Sequence, residues 1–119
     1  MNDNKEYLTH YENMGTIQIS EDVVATIATT AAMDVDGVGG LMNANMADFL
    51  GGKKLTAKGV RVELVEGALC VHLFIVIRYG FAVADVAGKV QNGVFAALQD
   101  MTGFEVKAVN VHVGGICFE

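Results

Sequence analysis

The sequence predicts a two-layer α+β domain, in which about four mostly antiparallel strands form a sheet and two main helices cover one of its faces. Segments with the two-residue period of strands alternate along the chain with two segments that have the 3.6-residue period of helices. Two amphipathic helices can cover only one face of such a sheet. The 119 residues make one domain, which we place at 15–119 after a flexible N-terminal tail at 1–14.

The composition excludes several classes of protein. Apolar residues make up 52% of the chain and charged residues 18%, which excludes intrinsic disorder. No stretch approaches the ~20 apolar residues of a membrane-spanning helix. The first fourteen residues are polar and lack the basic-then-apolar order of a signal peptide. We therefore expect a cytoplasmic protein with no membrane span of its own.

The first strand and the first helix are predicted next to each other. Residues 15–19 alternate, with Ile17 and Ile19 on one side. Ser20 is a natural helix N-cap, and two acidic residues follow it where the helix dipole favours negative charge. The spacing predicts a helix over 21–33 whose buried face consists of Val23, Val24, Ile27, Ala28 and Ala31.

Regular patterns are absent from residues 34–58, which contain several glycines and a short segment, 44–50, that could form a helical turn. Connections of this length are uncommon in compact domains. We expect the segment to be either mobile or functional.

The second half of the chain is more regular. Alternation over 60–78, broken by Glu66-Gly67, predicts a β-hairpin. Residues 82–101 follow the i, i+3, i+4, i+7 rule, and Gly103 stands where a helix C-cap is expected. The last strand is predicted over 105–118. The buried face of the second helix is predicted to carry Val83, Val86, Ala87, Val90, Val94, Ala97, Leu98 and Met101.

The charge balance disfavours nucleic acid as a partner. Eight basic residues stand against 14 acidic ones, giving a net charge of −6, whereas proteins that neutralise phosphates are usually basic. One basic cluster nevertheless lies within nine positions and could touch an anionic partner: Lys53, Lys54, Lys58 and Arg61. The alternative is a solvated loop.

No residue pattern predicts catalysis, a cofactor or a metal. Cys70, His72, His112 and Cys117 could in principle ligate zinc, but they lack the tight pairs in turns that dedicated sites use. We expect both cysteines to be buried and reduced. The segment from Gly51 to Lys54 lacks the remaining residues of a phosphate-binding loop.

The sheet face without helices is the candidate interface. The pattern places six residues there: His72, Phe74, Val76, Arg78, Asn110 and His112. Phe74 and Val76 at its centre are more apolar than a solvated face requires. Either a segment of the chain, such as the tail or 34–58, or another protein therefore covers them.

Several short motifs resemble the bacterial alkaline-shock-protein family, also called the Gls-type general-stress family. They are Gly15-x-Ile17-x-Ile19-Ser20-x-x-Val23, Val35-x-Gly37-Val38, Lys58-Gly59-Val60, Tyr79-Gly80, Thr102-Gly103-Phe104 and Val109-Asn110-Val111-His112-Val113. They occur in the family's order over about residues 15–118. The last motif is similar to that of small cytosolic members from Firmicutes, which are often encoded near fatty-acid-synthesis genes.

The resemblance implies a non-catalytic protein. Members are stress-linked or envelope-linked, some assemble with themselves, and some are held at the membrane by a separate small anchor protein. The family has no agreed catalytic residues to transfer to this chain. We therefore expect a homo-oligomeric scaffold or adaptor linked to envelope stress or lipid homeostasis, peripheral to the membrane through a partner. The alternative is a small RNA-binding module, since helix–sheet domains of this size include RNA binders.

Overall fold

The fold is taken from a computed structural model, which describes residues 7–12, 14–42 and 59–118. The predicted α+β class is confirmed. The strands are β1 (Tyr7–Glu12), β2 (Gly15–Ser20), β3 (Val38–Leu41), β4 (Val60–Val65), β5 (Ala68–Arg78) and β6 (Val106–Cys117). The helices are α1 (Glu21–Met33) and α2 (Val83–Thr102).

Strand β5 is the centre of the larger sheet. On one edge it pairs antiparallel with β4 and β3, and on the other it pairs parallel with β6. The Phe74 N–H donates to the Gly59 carbonyl at 3.1 Å, and the Phe74 carbonyl accepts from the Met42 N–H at 2.7 Å. Strands β3 and β4 therefore lie end to end along the same edge of β5.

The connection from β5 to β6 runs through α2, which makes a βαβ unit of the kind that parallel strands require. Gly80 has a φ of 102°, a backbone conformation that suits glycine at the sharp turn before α2. Gly103 ends α2 in the left-handed region, and its N–H donates to the Gln99 carbonyl at 3.2 Å. This C-cap is the predicted one.

The core lies between the sheet and the two helices. Fully buried side chains of β5 alternate along the strand on the helix side: Leu69, Val71, Leu73, Ile75 and Ile77. The buried residues of α2 are Val86, Val90, Val94 and Leu98, all on the predicted face. Val83 and Met101, which the pattern also places on that face, are 42% and 68% exposed because they lie at the two ends of the helix.

The predicted helix over 21–33 is confirmed at both ends. Ser20 caps it, since the Val23 N–H donates to the Ser20 Oγ at 3.2 Å. The predicted buried face is rotated, however. Val23 is 47% exposed, whereas Ala25 and Ala32 are buried, because α1 presents small residues to the core and to α2.

The N-terminal strands differ from the prediction. The sequence indicates a tail over 1–14 and places 15–19 in the main sheet, yet β1 pairs antiparallel with β2 in a separate two-stranded sheet. Leu8 is 6% exposed and belongs to the core, which explains why β1 is ordered. The fourth strand of the main sheet is β3, within the segment for which we predict irregular structure. The helical turn suggested at 44–50 lies outside the described residues.

The predicted hairpin over 60–78 is confirmed as β4 and β5. Its turn has Glu66 at φ 53° and Gly67 at φ 82°, the left-handed pair that a two-residue hairpin turn prefers. The hairpin fixes which side chains of β5 point away from the helices, and it thereby positions the candidate site.

Candidate interaction surface

The face of the main sheet opposite the helices, here called the open face, carries the six candidate interface residues on two neighbouring strands. Because side chains alternate along a strand, those of β5 that do not enter the core point to this face. The parallel register places His72 beside Asn110 and Phe74 beside His112. The structure thus brings together His72, Phe74, Asn110 and His112, and it places Val76 and Arg78 further along β5.

Two histidines and a phenylalanine form a stack on the open face. The rings of Phe74 and His112 are nearly parallel, with centroids 4.5 Å apart and an interplanar angle of 10°. The ring of His72 lies 5.5 Å from that of His112, and His72 Nδ1 is 3.3 Å from His112 Nε2. At this distance one imidazole nitrogen donates and the other accepts, so the pair fixes the orientation of both rings.

The polar contacts continue from the stack onto the next side chains. Cys70 Sγ lies 3.9 Å from His72 Nε2 and accepts from Asn110 Nδ2 at 3.8 Å. Both cysteines are free and partly exposed, so the prediction that they are buried is wrong in degree. These contacts join side chains of β5 and β6 on the open face. The sequence alone does not indicate them, because it does not show that the two strands are neighbours.

Phe74 is 5% exposed within the single chain. The ring of His112 covers one side of it. Met42 is opposite Phe74 at the edge of β5, and a Cβ built on Gly114 of β6 would overlap the Met42 Sδ. The Met42 side chain therefore crosses β5 on the open face. The sequence leaves open whether a segment of the chain or another protein covers Phe74. Met42 lies in the segment 34–58, so a segment of the chain itself covers Phe74 here.

The residues that remain accessible on the open face are mainly polar. His112 and Arg78 are exposed, while His72, Val76 and Asn110 are partly exposed. Arg61, on the neighbouring strand β4, forms an ion pair with Glu63. Arg78 makes no ion pair with any residue in the described part of the chain.

The four residues considered for zinc do not come together. Cys70, His72 and His112 are neighbours, but Cys117 pairs with Arg78, eight residues further along β5, or about 26 Å of strand. Within 7–12, 14–42 and 59–118 no group of three or more His, Cys, Asp or Glu side chains is arranged to hold a metal ion. Of the basic cluster, Lys53, Lys54 and Lys58 lie outside the described residues.

A second accessible feature escaped the sequence analysis. Tyr79 and Phe118 directly follow the parallel strands β5 and β6, and their rings stack with centroids 5.1 Å apart. They are 71% and 77% exposed. Parallel strands bring the residues that follow their carboxyl ends close together. The sequence could therefore have indicated this pair only if β5 and β6 were already known to be parallel.

The architecture occurs in a known structure. The copper form of the MamM CTD superposes with a TM-score of 0.54 over 80% of this chain and 85% of that one, at 14% sequence identity. At this identity the likeness defines a small α+β fold and carries no ligand or activity to this chain.

Sequence comparison defines the family. Residues 9–118 match the alkaline shock protein 23 family, described as having a cell envelope-related function, and the chain belongs to that family. This confirms the resemblance to the alkaline-shock proteins. The chain is 32% identical to the uncharacterized protein YqhY of Bacillus subtilis, covering 100% of this chain and 91% of the relative. It is 36% identical to an uncharacterized protein of Streptococcus pyogenes, covering 91% and 84%.

A membrane-spanning helix must be both long and apolar. Neither α1 nor α2 combines the length and the apolar character needed to cross a bilayer.

Proposed function

We propose that this protein is a non-catalytic scaffold or adaptor of the bacterial cell envelope, which acts through self-association and through protein partners bound at the open face. One observation carries the proposal. Both helices pack on one face of the sheet, and on the opposite face the described residues fix a set of accessible polar side chains around a buried aromatic ring.

The open face suits a protein partner because its polar groups are held in place before binding. The contact between His72 and His112 and the stack on Phe74 limit the rotamers of both imidazoles. Less side-chain entropy is then lost on association than with mobile residues. Arg78 adds an exposed guanidinium, which recognises a carboxylate with two parallel hydrogen bonds. A partner segment with an acidic residue fits this arrangement.

The structure offers little support for the RNA-binding alternative. Single-stranded RNA is usually read by exposed aromatic rings that stack on its bases. Phe74, the aromatic residue at the centre of the face, is buried beneath His112, and the exposed pair of Tyr79 and Phe118 follows the ends of β5 and β6 instead of lying on the face. Arg61, the described member of the basic cluster, forms an ion pair with Glu63 that neutralises its charge. We therefore retain the protein-interaction function alone.

The family description and the resemblance support the cellular setting. The alkaline shock protein 23 family has a cell envelope-related function. We propose a cytoplasmic protein at the inner face of the membrane, held there by a partner such as a small membrane-anchor protein. The role in stress tolerance or lipid homeostasis rests on the resemblance to the alkaline-shock proteins.

Comparative cross-linking in the source bacterium tests the proposal. The wild type would be compared with the double variant Arg78→Glu/His112→Glu, which reverses the charge of the open face and removes an accessible ring. The matched control is Asn92→Glu/Gln99→Glu, two exposed positions on α2. The proposal expects at least one abundant partner to be lost from the first variant and kept by the control. Identical partner sets for all three proteins would refute it.

A further inference from the structure

Strand β6 has an edge that no described residue pairs with. The N–H groups of Leu69 and Tyr79 donate to the carbonyls of Glu105 and Cys117, while the N–H of Phe74 donates to the opposite edge. The N–H and C=O groups of odd-numbered residues of β5 therefore point toward β6. A residue in a parallel ladder hydrogen-bonds to the two residues that flank its register partner. Val71, Leu73 and Ile75 therefore bond to Ala108, Asn110 and His112. The amide groups of Val109, Val111 and Val113 consequently point away from β5.

A contact with α2 confirms this direction. Gln91 Nε2 donates to the carbonyl of Val109 at 3.0 Å, and a side chain from the helix layer can reach that carbonyl when it is directed to the free edge. Within the described parts of the chain β6 pairs with β5 alone. Val111 and Val113 are partly buried hydrophobic residues at the margin of the core. Their outer sides and amide groups remain accessible.

The composition of this edge lacks the usual protection against pairing. Natural edge strands are commonly short, charged, or interrupted by proline. Strand β6 has 12 residues, and from Ala108 to Val113 it contains no lysine, arginine, acidic residue or proline. Lys107, at one end, forms an ion pair with Glu66 at 3.6 Å. Irregularities in the pairing with β5 bound this stretch on both sides, so the part of the free edge suited to receive another strand is 108–113.

We infer that a second copy of this chain pairs antiparallel with β6 around a two-fold axis, with Val111 of each copy opposite Val111 of the other. This inference rests on the self-association in the proposed function and names the strand that performs it. The pairing would form roughly four main-chain hydrogen bonds and two more that share the Val109 carbonyls with Gln91, and it would join the two sheets into one. The open faces of both copies would stay accessible to other partners.

The edge is self-complementary in this register, which favours a second copy over an unrelated strand. Val109 of one copy would face Val113 of the other on the helix side. On the open face Asn110 would face His112 of the other copy, so an amide would meet an imidazole. A two-fold interface requires this kind of match between a surface and itself.

Proline substitution on the free edge provides the test. Val111→Pro removes an N–H that points away from β5, so the fold of one copy should tolerate it. Leu64→Pro is the matched control, because Leu64 lies on β4 with its N–H directed away from β5. Sedimentation velocity should give twice the 12.6 kDa mass for the wild type and the control, and the single mass for Val111→Pro. A monomeric wild type, or a folded Val111→Pro variant that still dimerises, would overturn the inference.

If Val111→Pro fails to fold, two cysteine variants test the pairing of β6 with a second copy. With Cys70 and Cys117 replaced by alanine, Val111→Cys places two thiols on the axis, where paired residues have Cα atoms about 5.5 Å apart, within the range of a disulfide. Val113→Cys is the control, because residue 113 faces 109 in this register. Mild oxidation should give a covalent dimer with Val111→Cys alone; no dimer, or equal dimer from both, would overturn the inference.

These variants separate the inference from the proposed function. Val111→Pro should lose self-association and keep the partners that the open face binds. His112 faces the other copy in this register, so the open-face variant for this comparison is Arg78→Glu alone. Loss of the open-face partners from Arg78→Glu, with its dimer intact, would support both claims. If Arg78→Glu keeps every partner while Val111→Pro is monomeric, the proposed function fails and the edge pairing stands.

Discussion

The stack of Phe74 and His112 makes a quantitative prediction about stability. Phe74 is 5% exposed, and truncating a buried phenylalanine to alanine usually costs about 3–5 kcal/mol in the free energy of unfolding. We expect the lower end, about 3 kcal/mol, because the cavity left by Phe74→Ala borders the surface and can admit water. For a domain of this size the loss corresponds to roughly 12 °C in melting temperature.

The contribution of the stack itself can be separated from that of burial. An aromatic pair contributes about 0.5–1.5 kcal/mol beyond the area it buries. A double-mutant cycle with Phe74→Ala and His112→Ala should therefore give a coupling energy of about 1 kcal/mol in urea melts followed by circular dichroism. Ile116→Ala, at a position that is 43% exposed on the same sheet, should cost less than about 1 kcal/mol.

Two results would refute the reasoning. A cost below about 1 kcal/mol for Phe74→Ala would mean that the ring is exposed and available to a partner. A coupling energy near zero would mean that Phe74 and His112 do not stack in solution.

Further predictions concern the backbone, the first helix and metal content. Gly80→Val should destabilise the protein by about 1–2 kcal/mol because φ is 102° there, whereas Gly88→Ala should be neutral or stabilise it by up to ~1 kcal/mol, since nothing lies within 4 Å of an added Cβ; denaturant melts with the reverse order would contradict this. Ser20→Ala should cost about 1 kcal/mol in the same assay through loss of the cap, and Ser20→Asp should not. Gly59→Ala should lower the free energy of unfolding by more than Gly80→Val or Ser20→Ala, because the new Cβ would overlap the Met42 carbonyl oxygen. A melt identical to that of the wild type would refute this close approach. Tag-free protein should contain far less than one equivalent of zinc, and chelators should leave its melting temperature unchanged; stoichiometric zinc would contradict this.

The sequence is sufficient to predict elements whose boundaries depend on local interactions. The start of α1 follows from Ser20, whose side chain satisfies an N–H of the first turn. The β4–β5 hairpin follows from Glu66-Gly67, because few residue pairs adopt two left-handed conformations in succession. Gly103 ends α2 for the same local reason.

The choice of strand partners could not be predicted in this way. The two-residue period of 15–19 indicates a half-buried strand but carries no information about which strand pairs with it. Residues 38–41 contain two glycines, which have low strand propensity, and they form β3 because the edge of β5 beyond β4 supplies hydrogen-bond partners.

The candidate site also depends on strand pairing that the sequence does not reveal. Alternation along β5 correctly indicates that His72, Phe74 and Arg78 share a face. The burial of Phe74 depends on His112, which is distant in the sequence, and on Met42, which lies in a segment without a regular pattern. Both contacts arise from the parallel pairing of β5 with β6 and from the end-to-end arrangement of β3 and β4.

The central claim is that the open face of the sheet binds the protein's partners. Chemical-shift mapping of the ¹⁵N-labelled protein tests it most directly, with a partner that cross-linking identifies and that is then purified. The account predicts the largest amide shifts at His72, Arg78 and His112, and small shifts at the exposed α2 positions Asn92 and Gln99. Shifts concentrated on α2, with those of the open face unchanged, would contradict the account.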